Sequence, residues 1–183
     1  MFSQLSEGAL ETLVSLTNQL QPWWVPIKMA GYFLGFVLVG IALVDLGTQE
    51  MSMMRRKLAI GKPLVGAITG LLLLNLIPFM DMLSQTTFGS DSAKALSYGV
   101  SQGDSPQRVM LYFSITITML VGLAGVIRGI YMVKHSGEDP RQFWPAIAHI
   151  FGGLFAVNII LFFEMLGASF GGTIGSTINR LVQ

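Results

Sequence analysis

The chain has no cysteine, which removes disulfides, thiolate catalysis and most zinc sites from consideration. Charge is scarce too. Lys, Arg, Asp and Glu make up 11 % of the 183 residues, less than half the roughly 25 % usual in soluble domains. A domain of this size exposes too much surface for core burial to explain that deficit; contact with lipid explains it. The two histidines, His135 and His149, have no Asp or Glu at ligand spacing, so no metal site is expected. No glycine-rich phosphate loop, nucleophile elbow or paired-carboxylate arrangement occurs. The expectation is a chain that is not an enzyme and has no cofactor. A net charge of +1 without a clustered basic face gives no reason to expect sequence-specific nucleic-acid contact. The N-terminal MFSQLSEGALETLVSL lacks the charged and unbroken apolar regions of a signal peptide, so the chain is read as inserting through its own helices.

What is present is apolar. The hydrophobic set makes up 52 % of the chain and the mean hydropathy is +0.62. Four long apolar segments, 26–47, 63–84, 109–133 and 143–166, each approach or exceed the roughly 20 residues that cross a hydrocarbon core about 30 Å thick. Ahead of them, residues 4–21 place Leu5, Ala9, Leu10, Leu13, Leu16 and Leu20 near one helical face, an amphipathic pattern too polar to span. That helix is expected to end at Pro22, with Trp23 and Trp24 at headgroup level, and to lie along the membrane surface. Packing on a partner is the alternative. The organisation expected is therefore an interfacial helix (1–25), a first hairpin (26–84), a polar extracytoplasmic connector (85–108), a second hairpin (109–170) and a tail (171–183). A short helix over Ser92–Val100 fits within the connector. The fold class is all-α, integral to a membrane.

The connectors set the orientation. The first (48–62) carries Arg55, Arg56, Lys57 and Lys62, and the third (134–142) carries Lys134 and Arg141; the longer middle one has Lys94 and Arg108. Positive residues stay on the cytoplasmic side, so loops 48–62 and 134–142 face the cytoplasm and both termini face outward. Cations beside helix ends also suit lipid phosphates, at roughly 1 kcal/mol each near an anionic leaflet. Those six residues are the candidate lipid-headgroup ligands, with a plain topology signal as the alternative.

The sequence also repeats itself. Residue n beside n+83 aligns GLLLLNLIPFMDML (70–83) with GLFAVNIILFFEML (153–166), seven of fourteen positions being identical. A shift of 82 aligns VGIALVDLG (39–47) with VGLAGVIRG (121–129), and Pro63 with Pro145. Apolar bias inflates such matches, but it does not explain shared Gly, Asn and Pro. The repeated unit is helix, basic turn, helix, so the layout expected is two tandem duplicated hairpins in parallel orientation. Inverted-repeat transporters are built otherwise.

Among polar residues, Asp45, Arg128, Asp81 and Glu164 fall near helix ends, where snorkelling lowers their cost. Asn75 and Asn158 lie deeper, and an amide there can bond across helices for about 0.6–2 kcal/mol. GxxxG spacing occurs at Gly31/Gly35, Gly66/Gly70, Gly125/Gly129 and Gly167/Gly171/Gly175. Small residues four apart let helix backbones approach closely in lipid. With Asn75 and Asn158, the first six of these glycines are the candidate helix-packing residues.

With a short amphipathic start, two Gly-rich hairpins with basic turns, and runs such as GFVLVGIALVDLG and NIILFFEMLG, the chain resembles the TraQ/IcmC (DotE) family of type IVB conjugation and secretion systems over residues 25–170. Each hairpin separately resembles the two-helix pilin of simpler type IV systems, whose subunits wait in the inner membrane and enter a helical filament with phospholipid near the basic turn. The resemblance implies a structural subunit of such an apparatus, self-associating with phospholipid and with other secretion-system subunits, in the bacterial inner membrane or extruded as a pilus. By the same resemblance, Arg55, Arg56, Lys57 and Lys62 match the first turn, and Lys134 and Arg141 the second. Ordinary pilins have one hairpin and usually a cleaved leader, and this chain departs from them on both counts. A permanent translocation or assembly component is the alternative; a small transporter or channel is a third class.

Overall fold

A computed structural model describes residues 7–52, 61–89, 105–136 and 139–170. Among the described residues the chain is helical without strands: α1 (Glu7–Leu20), α2 (Trp24–Ser52), α3 (Gly61–Leu74), α4 (Leu76–Phe88), α5 (Pro106–Ser136), α6 (Phe143–Val157) and α7 (Ile159–Phe170). Two runs are long and apolar enough to cross a membrane, Gly8–Thr48 of 41 residues and Pro106–Ser136 of 31. At 1.5 Å per residue they reach about 60 and 46 Å, well beyond a hydrocarbon core of about 30 Å.

The expected end at Pro22 does not occur. A single 3-10 turn, Gln21–Trp23, joins α1 to α2, with the Trp24 N–H donating to the carbonyls of Gln21 and Pro22. Proline sits in the first turn of that segment, where its fixed φ is compatible with a helix and its missing N–H costs nothing. Nor is the apolar face of α1 left for lipid. Val14, with Leu13 beside it, packs against Val109 and Tyr112 of α5.

The segments expected as straight spans over 63–84 and 143–166 are both broken. The axis turns by 82° between α3 and α4 and by 84° between α6 and α7. The residues at the breaks are Asn75 (φ −105°, ψ 34°) and Asn158 (φ −103°, ψ 34°), in the sparsely allowed bridge region where Asn is tolerated better than most residues. Each amide side chain donates from Nδ2 to the carbonyl four residues back, Leu71 or Leu154, at 3.0 Å, alongside its own backbone N–H at the same distance. A side chain that bonds the helix ladder in this way is a recognised cause of a bend. Proline is not the shared cause, since Pro78 follows the first break whereas Leu161 stands at the matching place after the second.

α2 packs on α3 and α5 on α6. The two pairs meet in one core of Leu38, Leu73, Leu76 and Met80 from the first pair and Leu123, Val126, Ile130, Ile150 and Val157 from the second. Outside that core, large apolar side chains are exposed along α2, α3 and α5, among them Phe33, Phe36, Leu43, Leu71 and Val121. Contiguous exposure on that scale is foreign to a water-facing monomer and marks a surface for lipid or protein.

Candidate helix-packing and assembly site

Glycine brings the paired helices together at two crossings. In the first, Gly35 of α2 lies against Gly70 of α3. A Cβ built on either would stand 2.8 Å from the other's carbonyl oxygen, and one on Gly70 would also meet Val39 Cγ2 at 2.7 Å. In the second, a Cβ on Gly122 of α5 would lie 2.8 Å from the Gly153 carbonyl, and one on Gly153 would lie 2.5 Å from the Gly122 carbonyl and 2.7 Å from Val126 Cγ2. No side chain larger than hydrogen fits at these four positions without parting the helices. Gly129 is equally enclosed, against Ile150 and the Ala146 carbonyl.

The two crossings match atom for atom in kind: a glycine carbonyl facing a glycine, with a valine one turn further along the first helix. They relate Gly35 and Val39 to Gly122 and Val126, residue n to n+87 in the first helix of each pair, and Gly70 to Gly153, n to n+83, in the second. The shift of 83 agrees with the sequence match. The shift of 82 for the first helix does not. It pairs Gly40 with Gly122, yet Gly40 has open space around it and Gly122 has none.

The other expected packing residues divide. Gly31 meets Ile127 of α5 at 3.1 Å and Leu76 at 3.2 Å, so it packs between the helix pairs. Gly66, with Ala42 Cβ at 3.7 Å, and Gly125, with Gly153 Cα at 3.7 Å, are in ordinary contact only. Asn158 is fully buried and its Oδ1 accepts from Ser84 Oγ of α4 at 3.3 Å. Asn75, its counterpart, is exposed. Gly122 and Gly153 were not among the expected packing residues. Gly122 has no glycine four residues away; its signal is the seven-residue interval to Gly129, which keeps both on one helix face.

Of the expected lipid ligands, Arg55, Arg56 and Lys57 lie outside the described residues, as do the Ser92–Val100 stretch, the tail 171–183 and the side chain of Lys62, whose backbone opens α3. Lys134 is half-buried in the last turn of α5, and Arg141 is exposed in a 3-10 turn whose Arg141 N–H donates to Asp139 Oδ1 at 3.0 Å. Asp45, Arg128 and Glu164 are exposed on their helices. Among the described residues no three His, Asp or Glu side chains gather as metal ligands. A shallow apolar groove of about 360 Å³ opens on α5 and α6, lined by Val121, Gly125, His149, Gly152 and Ala156, beside the Gly122–Gly153 crossing. His149 is held to its own helix, with Nδ1 2.8 Å from the Pro145 carbonyl.

No protein-family model, characterised protein or solved structure matches this chain.

Proposed function

We propose that this chain is a structural subunit of a type IV (IVB, I-type) conjugation or secretion apparatus, made of two copies of one transmembrane hairpin and assembling with phospholipid into that apparatus, as a pilus subunit. Each bent pair, α3–α4 and α6–α7, counts as one crossing in this reading, giving four spans with both basic turns in the cytoplasm. The observation that carries it is the glycine crossing with its following valine, repeated in both helix pairs, together with breaks of 82° and 84° at matching asparagines. Close small-residue packing and exposed apolar faces suit a subunit whose work is done through helix contacts.

Lipid enters through the turns. Arg141 and Lys134 stand at one turn, and Arg55, Arg56, Lys57 and Lys62 belong by sequence to the other; headgroup phosphates complement both. Reporters fused after Lys57 and after Ser136 are expected to be active only in the cytoplasm. Filaments sheared from donor cells are expected to contain the chain by mass spectrometry. Finding it only with the membrane fraction rejects the pilus assignment and favours a permanent inner-membrane component. Reporters that land outside the cell at both turns reject the topology itself.

A further inference from the structure

The two helix pairs, read as copies of one hairpin, do not use the same faces. The first buries Leu38, Thr69 and Leu73 against the second. By the shifts of 87 and 83, their counterparts on the second pair are Gly125, Gly152 and Ala156, and these line the open groove on α5 and α6. Conversely, the second pair buries Leu123, Ile130, Leu154 and Val157 completely. Their counterparts on the first pair, Phe36, Leu43, Leu71 and Leu74, are exposed, Phe36 by 70 % and Leu71 by 52 %. Each hairpin therefore has one face satisfied inside the chain and one face left over. The leftovers are of opposite shape, a groove of small residues and a ridge of large ones.

We propose that copies of this chain join head to tail, the ridge at Phe36, Leu71 and Leu74 of one copy filling the groove at Gly125, Gly152 and Ala156 of the next. Each new contact repeats the one that already joins the two hairpins within a chain. A contact between unlike faces is heterologous, so it propagates until a ring closes or, if the step includes a rise, forms an open helix. A rise is built in. α1–α2 and α5 run parallel, with Val14 beside Val109 and Tyr112, and Gly31 beside Ile127, so that residue n stands level with about n+96. Equivalent residues are n and n+87, nine residues apart, an axial step of about 13 Å at 1.5 Å per residue. The relation between hairpins is thus a screw, and copies added by the same operation form a filament in which each chain fills two successive positions.

This rests on the duplication proposed above, and its test separates the two. The intrachain contact of Gly31 with Ile127 translates to Thr118 of one copy against Gly40 of the next. The chain has no cysteine of its own, and a side chain at Gly40 meets nothing within 4 Å. Gly40→Cys and Thr118→Cys chains, co-expressed and treated in isolated membranes with a short thiol crosslinker, should give mixed dimers and little from either variant alone. The double variant should give a ladder of multimers. Adding Gly152→Leu, which projects into the open groove, should erase the ladder while the helical circular dichroism is unchanged. Gly40→Cys crosslinking to itself as strongly as to Thr118→Cys overturns the proposal in favour of a symmetric contact. Multimers by native mass spectrometry without a ladder overturn it too, but leave the structural-subunit reading standing. A monomer at every concentration in lipid nanodiscs overturns both.

Discussion

Gly152 and Gly153 are neighbours in α6 with opposite surroundings, and alanine at each makes a controlled comparison. A Cβ on Gly153 would lie 2.5 Å from the Gly122 carbonyl oxygen and 2.7 Å from Val126 N and Cγ2, whereas nothing lies within 4 Å of one on Gly152. Relieving the Gly153 clash requires α5 and α6 to part by roughly 0.5–1 Å, which forfeits a quarter to a half of the dispersion well at each atom pair across the seam. With a few tens of such pairs at about 0.1–0.2 kcal/mol each, the loss is about 2 kcal/mol, in line with about 1–3 kcal/mol for an overpacked interior. Alanine returns up to about 1 kcal/mol over glycine through helix propensity. Gly153→Ala should therefore destabilise the chain by about 1–2 kcal/mol, and Gly152→Ala should leave it unchanged or stabilise it by up to about 1 kcal/mol. Equilibrium unfolding in mixed micelles, followed by circular dichroism across a denaturing-detergent titration, measures both. Equal midpoints for the two variants would refute the close crossing at Gly122 and Gly153.

The same contrast is expected in the first hairpin, where Gly35→Ala should destabilise by about 1–2 kcal/mol and Gly40→Ala should not, since Gly35 faces the Gly70 carbonyl and Gly40 faces open space; the same titration decides. Asn158→Ala should cost about 0.6–2 kcal/mol through loss of a buried interhelical bond, and Asn75→Ala less, because Asn158 is buried against Ser84 and Asn75 is exposed. Thr69 Oγ1 is buried with no hydrogen-bond partner. Thr69→Val, nearly the same shape without the hydroxyl, should raise the unfolding midpoint, by about 1 kcal/mol in stability.

Helical class, the apolar segments and the shift of 83 were legible because they depend on composition and local pattern. The seven matches between 70–83 and 153–166 include the two asparagines that break the helices, and those breaks come at matching positions. The bends themselves were not legible, because apolar runs of that length read as continuous spans and Asn carries no fixed geometry of its own. Pro22 misled in the opposite direction: the strongest helix-breaking residue type stands in the first turn of a 3-10 segment, where it breaks nothing. The first-helix shift of 82 followed matching letters in VGIALVDLG and VGLAGVIRG, whereas packing follows the face presented to the partner helix. A displacement of five residues puts the matched Gly40 and Gly122 on unlike faces. GxxxG spacing found glycines at helix seams but ranked them poorly. Gly66 and Gly125 are loosely surrounded, while Gly122 and Gly153 have the closest approach. Contact across a seam depends on the opposing helix, which spacing along one helix does not contain.

The axial step between hairpins has a consequence for the bilayer. The apolar stretch of α2 ends near Asp45, and that of α5 begins after Arg108. With residue n level with about n+96, Val25 stands beside Val121, and the polar Asn18 and Gln19 of α1 stand beside the apolar start of α5. Only residues 26–37 and 122–133 belong to both apolar stretches at one level, about 18 Å against a hydrocarbon core of about 30 Å. Mismatch costs fractions of a kcal/mol per Å, so a single chain in a flat bilayer is strained by several kcal/mol, and thicker lipid should drive chains together. Labels at Val25→Cys and Val121→Cys should report one depth by quenching in vesicles, with Tyr112→Cys about 13 Å shallower, and crosslinked multimers should increase with acyl-chain length. If Val25 and Tyr112 share a depth instead, the hairpins stand level in lipid, the screw relation between them is absent, and nothing in the chain dictates a rise from one copy to the next.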